Sequence, residues 1–360
     1  MLNLTWPFLI SLVITITTTP LAILFAKKYK LVDDPKKRPH PAHVQNRVVP
    51  RAGGIAIFLG ILISIIIFIP LTKPLLGIIF GLIILLLIGL IDDATEKLSP
   101  YPRLLLQFIA AGLVVASGIG ITFITNPLGG ILRLDEIITP IEIFGQAHNI
   151  VLLADIFAIV WIVWMMNMVN WSKGVDGQMP GIAGVAAITI GLLSFRLFSE
   201  GDPNQLPIAL MSFITAGSSL GFLIFNWYPA KIFPGFSGSN ILGFMIAVLA
   251  ILSGAKLATA LLVLLIPAVD FIYTFIRRLA TKKSPFLGDQ LHLHHLLLKR
   301  GWTHRQISLL YIFSCAILGI LSTALNSQGK LFALAFLSVV IAGSILWLHL
   351  FTKAAKEDGI

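Results

Sequence analysis

Two adjacent carboxylates, Asp92 and Asp93, stand at the end of a stretch, Leu75 to Ile88, that contains only apolar residues and glycine. Neighbouring carboxylates repel each other and are costly beside hydrocarbon unless something positive faces them. A divalent cation, a Lys or Arg, or a phosphate with its metal would each serve. The plain alternative is a solvated helix end that carries two acids.

Further along, Asn167 and Asn170 are three residues apart and share a helix face at the end of another apolar run. An Asn amide oxygen is a hard ligand suited to Mg²⁺; hydrogen bonding between helices is the other use for Asn167. Lys173 and the turn-forming pair Asp176-Gly177 follow directly. The segment from Phe225 through Phe233 to Ser239 ends in a glycine- and serine-rich turn. Such a turn either offers backbone N–H groups to an anion or merely joins two helices. His292, His294 and His295 place three of the eight histidines within four residues. Imidazoles bind phosphate, donate hydrogen bonds or ligate metal, but this spacing matches no zinc site, and a chance surface cluster is the alternative. Near the N-terminus, Arg38 and His40 lie among prolines ahead of Gly53-Gly54. Cations at the membrane surface attract phosphates, although an ordinary positively charged loop would look similar. Asp270, inside an apolar run, is a functional candidate or a partner for Arg277 and Arg278.

The elements that must position these groups are membrane helices. The chain is 57% hydrophobic and 12% charged over 360 residues, about half the charge of a soluble domain. Eleven apolar runs predict spans near 7–26, 52–70, 74–91, 104–124, 150–169, 179–198, 206–225, 239–254, 257–276, 306–325 and 331–351. Residues 126–148 form a longer polar connection with room for a short hairpin or an amphipathic piece. The first run has no cationic leader or small-residue cleavage site and reads as a retained span. Cys315 is the sole cysteine, so no disulfide forms within one chain.

The net charge of +10 is read as topology and not as nucleic-acid binding. With the N-terminus outside and the C-terminus cytoplasmic, only Lys73, Arg133, Arg196, Lys256 and Lys330 of the 26 basic residues fall at the outer side, leaving 21 inside. All the chemistry-bearing segments then share the cytoplasmic face. The predicted fold is an all-α, polytopic integral membrane protein. It is a single domain over residues 1–360, with a motif-bearing core at 30–300.

Taken in order, these segments resemble the polyprenyl-phosphate N-acetylhexosamine-1-phosphate transferase family. That family includes the phospho-MurNAc-pentapeptide translocase and the bacterial undecaprenyl-phosphate GlcNAc-1-phosphate transferase. Eleven spans and an inner C-terminus fit the GlcNAc-type branch. The resemblance implies transfer of a HexNAc-1-phosphate from a UDP-sugar to a polyprenyl phosphate, with release of UMP and use of Mg²⁺ or Mn²⁺. The setting would be the inner (plasma) membrane, the product would serve cell-wall or surface polysaccharide, and the family tends to form homodimers. By motif, Asp92 contacts or deprotonates the lipid phosphate, and Asp93 and Asn170 lie at the metal. Asp176 and Phe233 hold the uracil; His294 and His295, with His292 beside them, hold the diphosphate or sugar. Asn167, Lys173, Arg38 and His40 are further substrate-binding candidates.

Two positions depart from the family pattern. The family writes Gly-Asp-x-Gly-Ser, with the aspartate a metal ligand, where this chain has Gly235-Phe236-Ser237-Gly238-Ser239. It also writes Asp-Gly-x-Asp-Gly where this chain has Lys173-Gly174-Val175-Asp176-Gly177. One carboxylate is lost and another is exchanged for a cation. The alternative is therefore a catalytically impaired member that binds lipid phosphate or nucleotide sugar as a subunit.

Overall fold

The computed structural model describes residues 4–36, 47–95, 99–126, 130–143, 146–254, 256–282, 284 and 290–357. Arg38 and His40 lie outside the described residues. In chain order the elements are α1 (Thr5–Lys28), β1 (Val32–Asp33), β2 (Val49–Pro50), α2 (Gly53–Phe68), α3 (Lys73–Thr95) and α4 (Pro100–Ala116). Then come β3 (Phe123–Thr125), β4 (Ile131–Arg133), β5 (Ile138–Ile143), β6 (Gln146–Val151), α5 (Leu152–Trp171), α6 (Gln178–Ser199) and α7 (Gln205–Asn226). The chain finishes with α8 (Gly235–Leu252), α9 (Leu257–Val263), α10 (Leu265–Ala280), α11 (Leu293–Lys299), α12 (His304–Ala324) and α13 (Ser327–Glu357).

Helices dominate because a backbone in hydrocarbon must satisfy its polar groups within one segment. Among the described residues eight are long and apolar enough to cross a membrane, making this a multi-pass membrane protein. α9 and α10 form one further candidate span, bent by 86°, while α2 and α4 are shorter apolar helices. These correspond one for one to the eleven apolar runs. Two runs differ from expectation. The fourth ends as a helix at Ala116, not near 124, and passes into β3. The ninth is broken by Pro267, which has no N–H for the Val263 carbonyl and crowds it, so α9 stops at Val263. The polar connection expected at 126–148 is part of a longer stretch, from β3 to β6, with two antiparallel pairings, β3 with β4 and β5 with β6.

α8 is the axis of the bundle, buried from Gly235 to Ile251 and packed on α2, α3, α5, α6 and α7. α1, α2 and α7 are joined by small polar residues, as expected where helices associate without a hydrophobic driving force. Ser11 Oγ donates to the Ile214 carbonyl (2.7 Å), Thr15 Oγ1 to Ser218 Oγ (3.0 Å), and Ser218 Oγ to the Ile57 carbonyl (3.0 Å). α13 is the outermost helix, with only 6% of its apolar span buried.

Candidate active site

The last turn of α3 delivers Asp92 and Asp93 to the N-terminus of α8, and both are buried, at 2% and 1% exposure. Their counter-charges are arginines. α4 folds back along α3, which brings the Arg103 guanidinium 2.6 Å from Asp92 Oδ1. Arg51, just ahead of α2, reaches Asp93 Oδ1 at 3.3 Å and Asp33 at 3.9 Å. Asp93 also caps α8: the Phe236 N–H donates to Oδ1 (3.0 Å) and the Ser237 hydroxyl to Oδ2 (3.1 Å). A carboxylate is favoured there by the helix dipole and the orphan N–H groups. Gly235 permits this approach with a φ of +70°, and a Cβ on Gly235 would strike the Asp93 carboxylate. Gly89 and Gly54 both pack directly on Ser237, so the cap is held from two sides.

The C-terminal end of α5 supplies the other wall. Asn170 Oδ1 accepts from Lys173 Nζ (2.7 Å) and from Ser239 Oγ (2.8 Å). Lys173 Nζ also lies 3.3 Å from the Gly235 carbonyl. Burial, reinforced by Arg51 and opposed by Asp93, brings the Lys173 pKa down to about 8, so the ammonium persists at neutral pH. Phe236 places its ring 5.4 Å from the Arg103 guanidinium and 5.9 Å from Lys173 Nζ. Asn167 donates to Gln107 Oε1 (2.8 Å), and the Gln107 amide donates to Asn240, linking α5, α4 and α8. Asn167 thus makes the interhelical hydrogen bond that its position allowed.

A cavity of about 200 Å³ opens beside these groups. Arg103, Gln107, Asn167 and Asn170 give it a polar end, while Trp164, Trp171, Phe271 and Phe275 give it an aromatic wall. This pairing of a cationic, hydrogen-bonding end with an apolar wall suits an amphiphile with an anionic head.

The histidines stand behind Trp171. Asp270 organises them: its Oδ2 lies 2.9 Å from His292 Nδ1, and its Oδ1 accepts the Leu293 N–H at 2.8 Å. Trp171 meets His292 edge-on at 5.4 Å, lies 4.2 Å from Phe271, and carries the Arg278 guanidinium at 4.7 Å. His294 packs against Gly174, in the same turn as Lys173, stacks on His292 at 5.5 Å, and lies tilted 4.3 Å from His295. Burial first, and His295 and His292 next, keep its pKa well below 6.5, so it stands as a neutral imidazole.

Asp176 faces a different loop. Its Oδ2 accepts from Arg47 (3.0 Å) and the Ala230 N–H (2.9 Å). Phe233 is half-buried and does not line the cavity; its backbone pairs with Pro50 and Gly53. The structure therefore gathers Asp92, Asp93, Asn170 and Lys173 around the start of α8, and joins His294 to them through Gly174. Arg51, Arg103, Gln107 and Trp171 complete the site without having been singled out as site residues. The need for counter-charge beside Asp92-Asp93 was the only sequence signal for the two arginines, and it did not say which of the 26 basic residues would answer.

The donor set does not fit a divalent cation. No group of three His, Cys, Asp or Glu side chains among the described residues is arranged to hold one. Magnesium bound through substrate phosphates needs only one or two protein oxygens, but the two residues that the motifs place at the metal face other groups here. Asp93 is held by Arg51, Phe236 and Ser237, and Asn170 Oδ1 by Lys173 and Ser239.

A polytopic helical bundle thus gathers buried acids and arginines beside a cavity with polar and aromatic lining. Residues 75–254 match glycosyl transferase family 4. A Pasteurella multocida protein named undecaprenyl-phosphate alpha-N-acetylglucosaminyl 1-phosphate transferase is 32% identical over 331 residues, covering 87% of this chain and 86% of its own. A Mycobacterium leprae decaprenyl-phosphate N-acetylglucosaminephosphotransferase is 30% identical, covering 92% and 86%. A Bacillus subtilis protein, named a probable undecaprenyl-phosphate N-acetylglucosaminyl 1-phosphate transferase, is 28% identical over 358 residues, covering 98% and 88%. The chain belongs to glycosyl transferase family 4, the family its motifs resemble.

Proposed function

We propose that this protein transfers a HexNAc-1-phosphate from a UDP-sugar to a polyprenyl phosphate at the cytoplasmic face of the inner (plasma) membrane. An oxygen of the lipid phosphate forms a bond to the sugar-bearing phosphorus. The bond from that phosphorus to the bridging oxygen breaks, and UMP leaves with the electron pair. The products are a polyprenyl-diphospho-sugar and UMP.

The observation that carries this reading is the cavity that joins Arg103 and Asn170 to an aromatic wall. A lipid phosphate fits it head to polar end and chain to Trp164, Phe271 and Phe275. Arg103 orients the phosphate bidentately, and Asp92, paired to Arg103, sets the guanidinium plane and takes up a proton from an incoming phosphate. Lys173 and the neutral His294, which packs on Gly174 beside it, face the donor's diphosphate. Relatives named as transferases cover nearly the whole chain, which favours a working enzyme over an impaired binding subunit. The magnesium ion that the resemblance implies is not carried into this reading, because Asp93 is capped and paired to Arg51 and Asn170 faces Lys173.

The test is purified protein in nanodiscs with polyprenyl phosphate and UDP-GlcNAc, scored for UMP release. Turnover that requires both substrates is expected. No turnover with any UDP-HexNAc, with or without Mg²⁺ or Mn²⁺, overturns the reading.

A further inference from the structure

We propose that the Lys173 ammonium is a built-in cation that takes the place of a divalent metal, so that this site handles a diphosphate without one. The proposal rests on the transferase reading for its substrate, but its geometry stands apart from that reading.

Lys173 Nζ is held as a small cation would be held, between Asn170 Oδ1 at 2.7 Å and the Gly235 carbonyl at 3.3 Å. Both are neutral oxygens. An ammonium is a compact point charge that needs hydrogen-bond acceptors and imposes no coordination polyhedron. Magnesium requires close to octahedral geometry at about 2.0–2.1 Å and deprotonated or carbonyl oxygens with free lone pairs. Asn170 Oδ1 already faces the Lys173 ammonium at 2.7 Å and the Ser239 hydroxyl at 2.8 Å, so a metal ion there would have to displace the lysine.

Phe236 points the same way. Its ring stands at the start of α8, between Arg103 and Lys173, at 5.4 and 5.9 Å. An aromatic face attracts side-chain cations and offers no ligand to a metal ion. Lys173 and Phe236 are thus one arrangement, a cation together with the surface that tolerates it.

The charge balance closes locally. Asp92 faces Arg103, Asp93 and Asp33 share Arg51, and Lys173 is the third cation against these three carboxylates. A divalent ion placed there would leave the cluster with an excess of positive charge. A diphosphate placed there would find two guanidiniums and an ammonium, the groups that bind phosphate oxygens most strongly.

The experiment titrates Mn²⁺ into purified, metal-stripped protein and reads bound Mn²⁺ by electron paramagnetic resonance, with UMP release measured in parallel in EDTA. The wild type is expected to bind no Mn²⁺ in the millimolar range and to keep its turnover in EDTA. Lys173→Met is expected to lose about 100-fold in turnover, the scale of removing one preorganised charge donor, and to gain no metal dependence. The double variant Lys173→Asp with Phe236→Asp is expected to bind Mn²⁺ and to become EDTA-sensitive. Tight Mn²⁺ binding by the wild type, or turnover abolished by EDTA and restored by Mg²⁺, overturns the proposal whether or not the double variant folds. Wild type that binds no Mn²⁺ and turns over under no condition supports the built-in cation and refutes the transferase reading instead.

Discussion

The Asp92-Asp93 end of the site and the Asp270-histidine end both bury carboxylates, but they satisfy them in opposite ways. Asp92 and Asp93 face guanidiniums, at 2.6 and 3.3 Å. Asp270 faces a histidine and a backbone N–H, at 2.9 and 2.8 Å. The first end is a lattice of full charges, where removing one partner leaves another buried and unpaired. The second is a hydrogen-bonded wall whose acid fixes positions. Charge work and positioning work are thus divided between the two ends, with Trp171 between them.

Breaking the charged end should cost most. Asp92→Asn is expected to lower UMP release by at least ~1,000-fold, about 4 kcal/mol of barrier, while the variant still inserts and melts cooperatively. Activity within twofold of wild type would refute its role. Asp270→Asn should cost less, about 100-fold in kcat/KM for the nucleotide sugar, the scale of a group displaced from its place. The KM for lipid should stay unchanged; equal losses in both parameters would dissolve the distinction between the ends. Trp171→Leu tests the shared wall and should raise the KM for polyprenyl phosphate by roughly 10-fold, or ~1.4 kcal/mol, with kcat nearly unchanged. A kcat effect alone would move Trp171 from binding to catalysis.

The smallest effect concerns pH. His294 is neutral when folded because its pKa lies well below 6.5, whereas the unfolded chain takes up a proton below that value. The unfolded state then binds more protons, so stability falls as pH drops below 6.5. Thermal melts should fall in that range by an amount on the order of 1 kcal/mol, or ~2 °C in a chain this large. His294→Gln should flatten the dependence, and an unchanged slope would count against the assignment.

The helices were legible because lipid allows few alternatives: each apolar run of span length became a helix or a bent pair. The break at Pro267 was available in principle, since proline interrupts a helix at the carbonyl four residues earlier, but within an unbroken hydrophobic run its effect depends on what neighbours satisfy. Asp92 and Asp93 announced themselves because like charges beside hydrocarbon demand an explanation. Arg51 and Arg103 did not, because each sits in a segment rich in ordinary positive-inside cations. Asp270 was read as a partner for Arg277 and Arg278 or as a functional group. It faces His292 and the Leu293 N–H, a contact set by how α10 and α11 pack and not by local spacing. The exchange of carboxylates for Lys173 and Phe236 was plain in sequence, but that they form one contact was not.

The bend between α9 and α10 has a kinetic consequence. α10 turns one side, Ile272, Ile276 and Leu279, outward, and buries the other through Asp270, Thr274 and Arg278. Phe271 and Phe275, between those sides, line the cavity. On the proposed transferase reading, α10 offers an isoprenoid tail a sideways approach to the cavity, while Lys173 and the histidines face the nucleotide from another wall. Initial-rate kinetics with both substrates varied are therefore expected to show no obligatory order of binding.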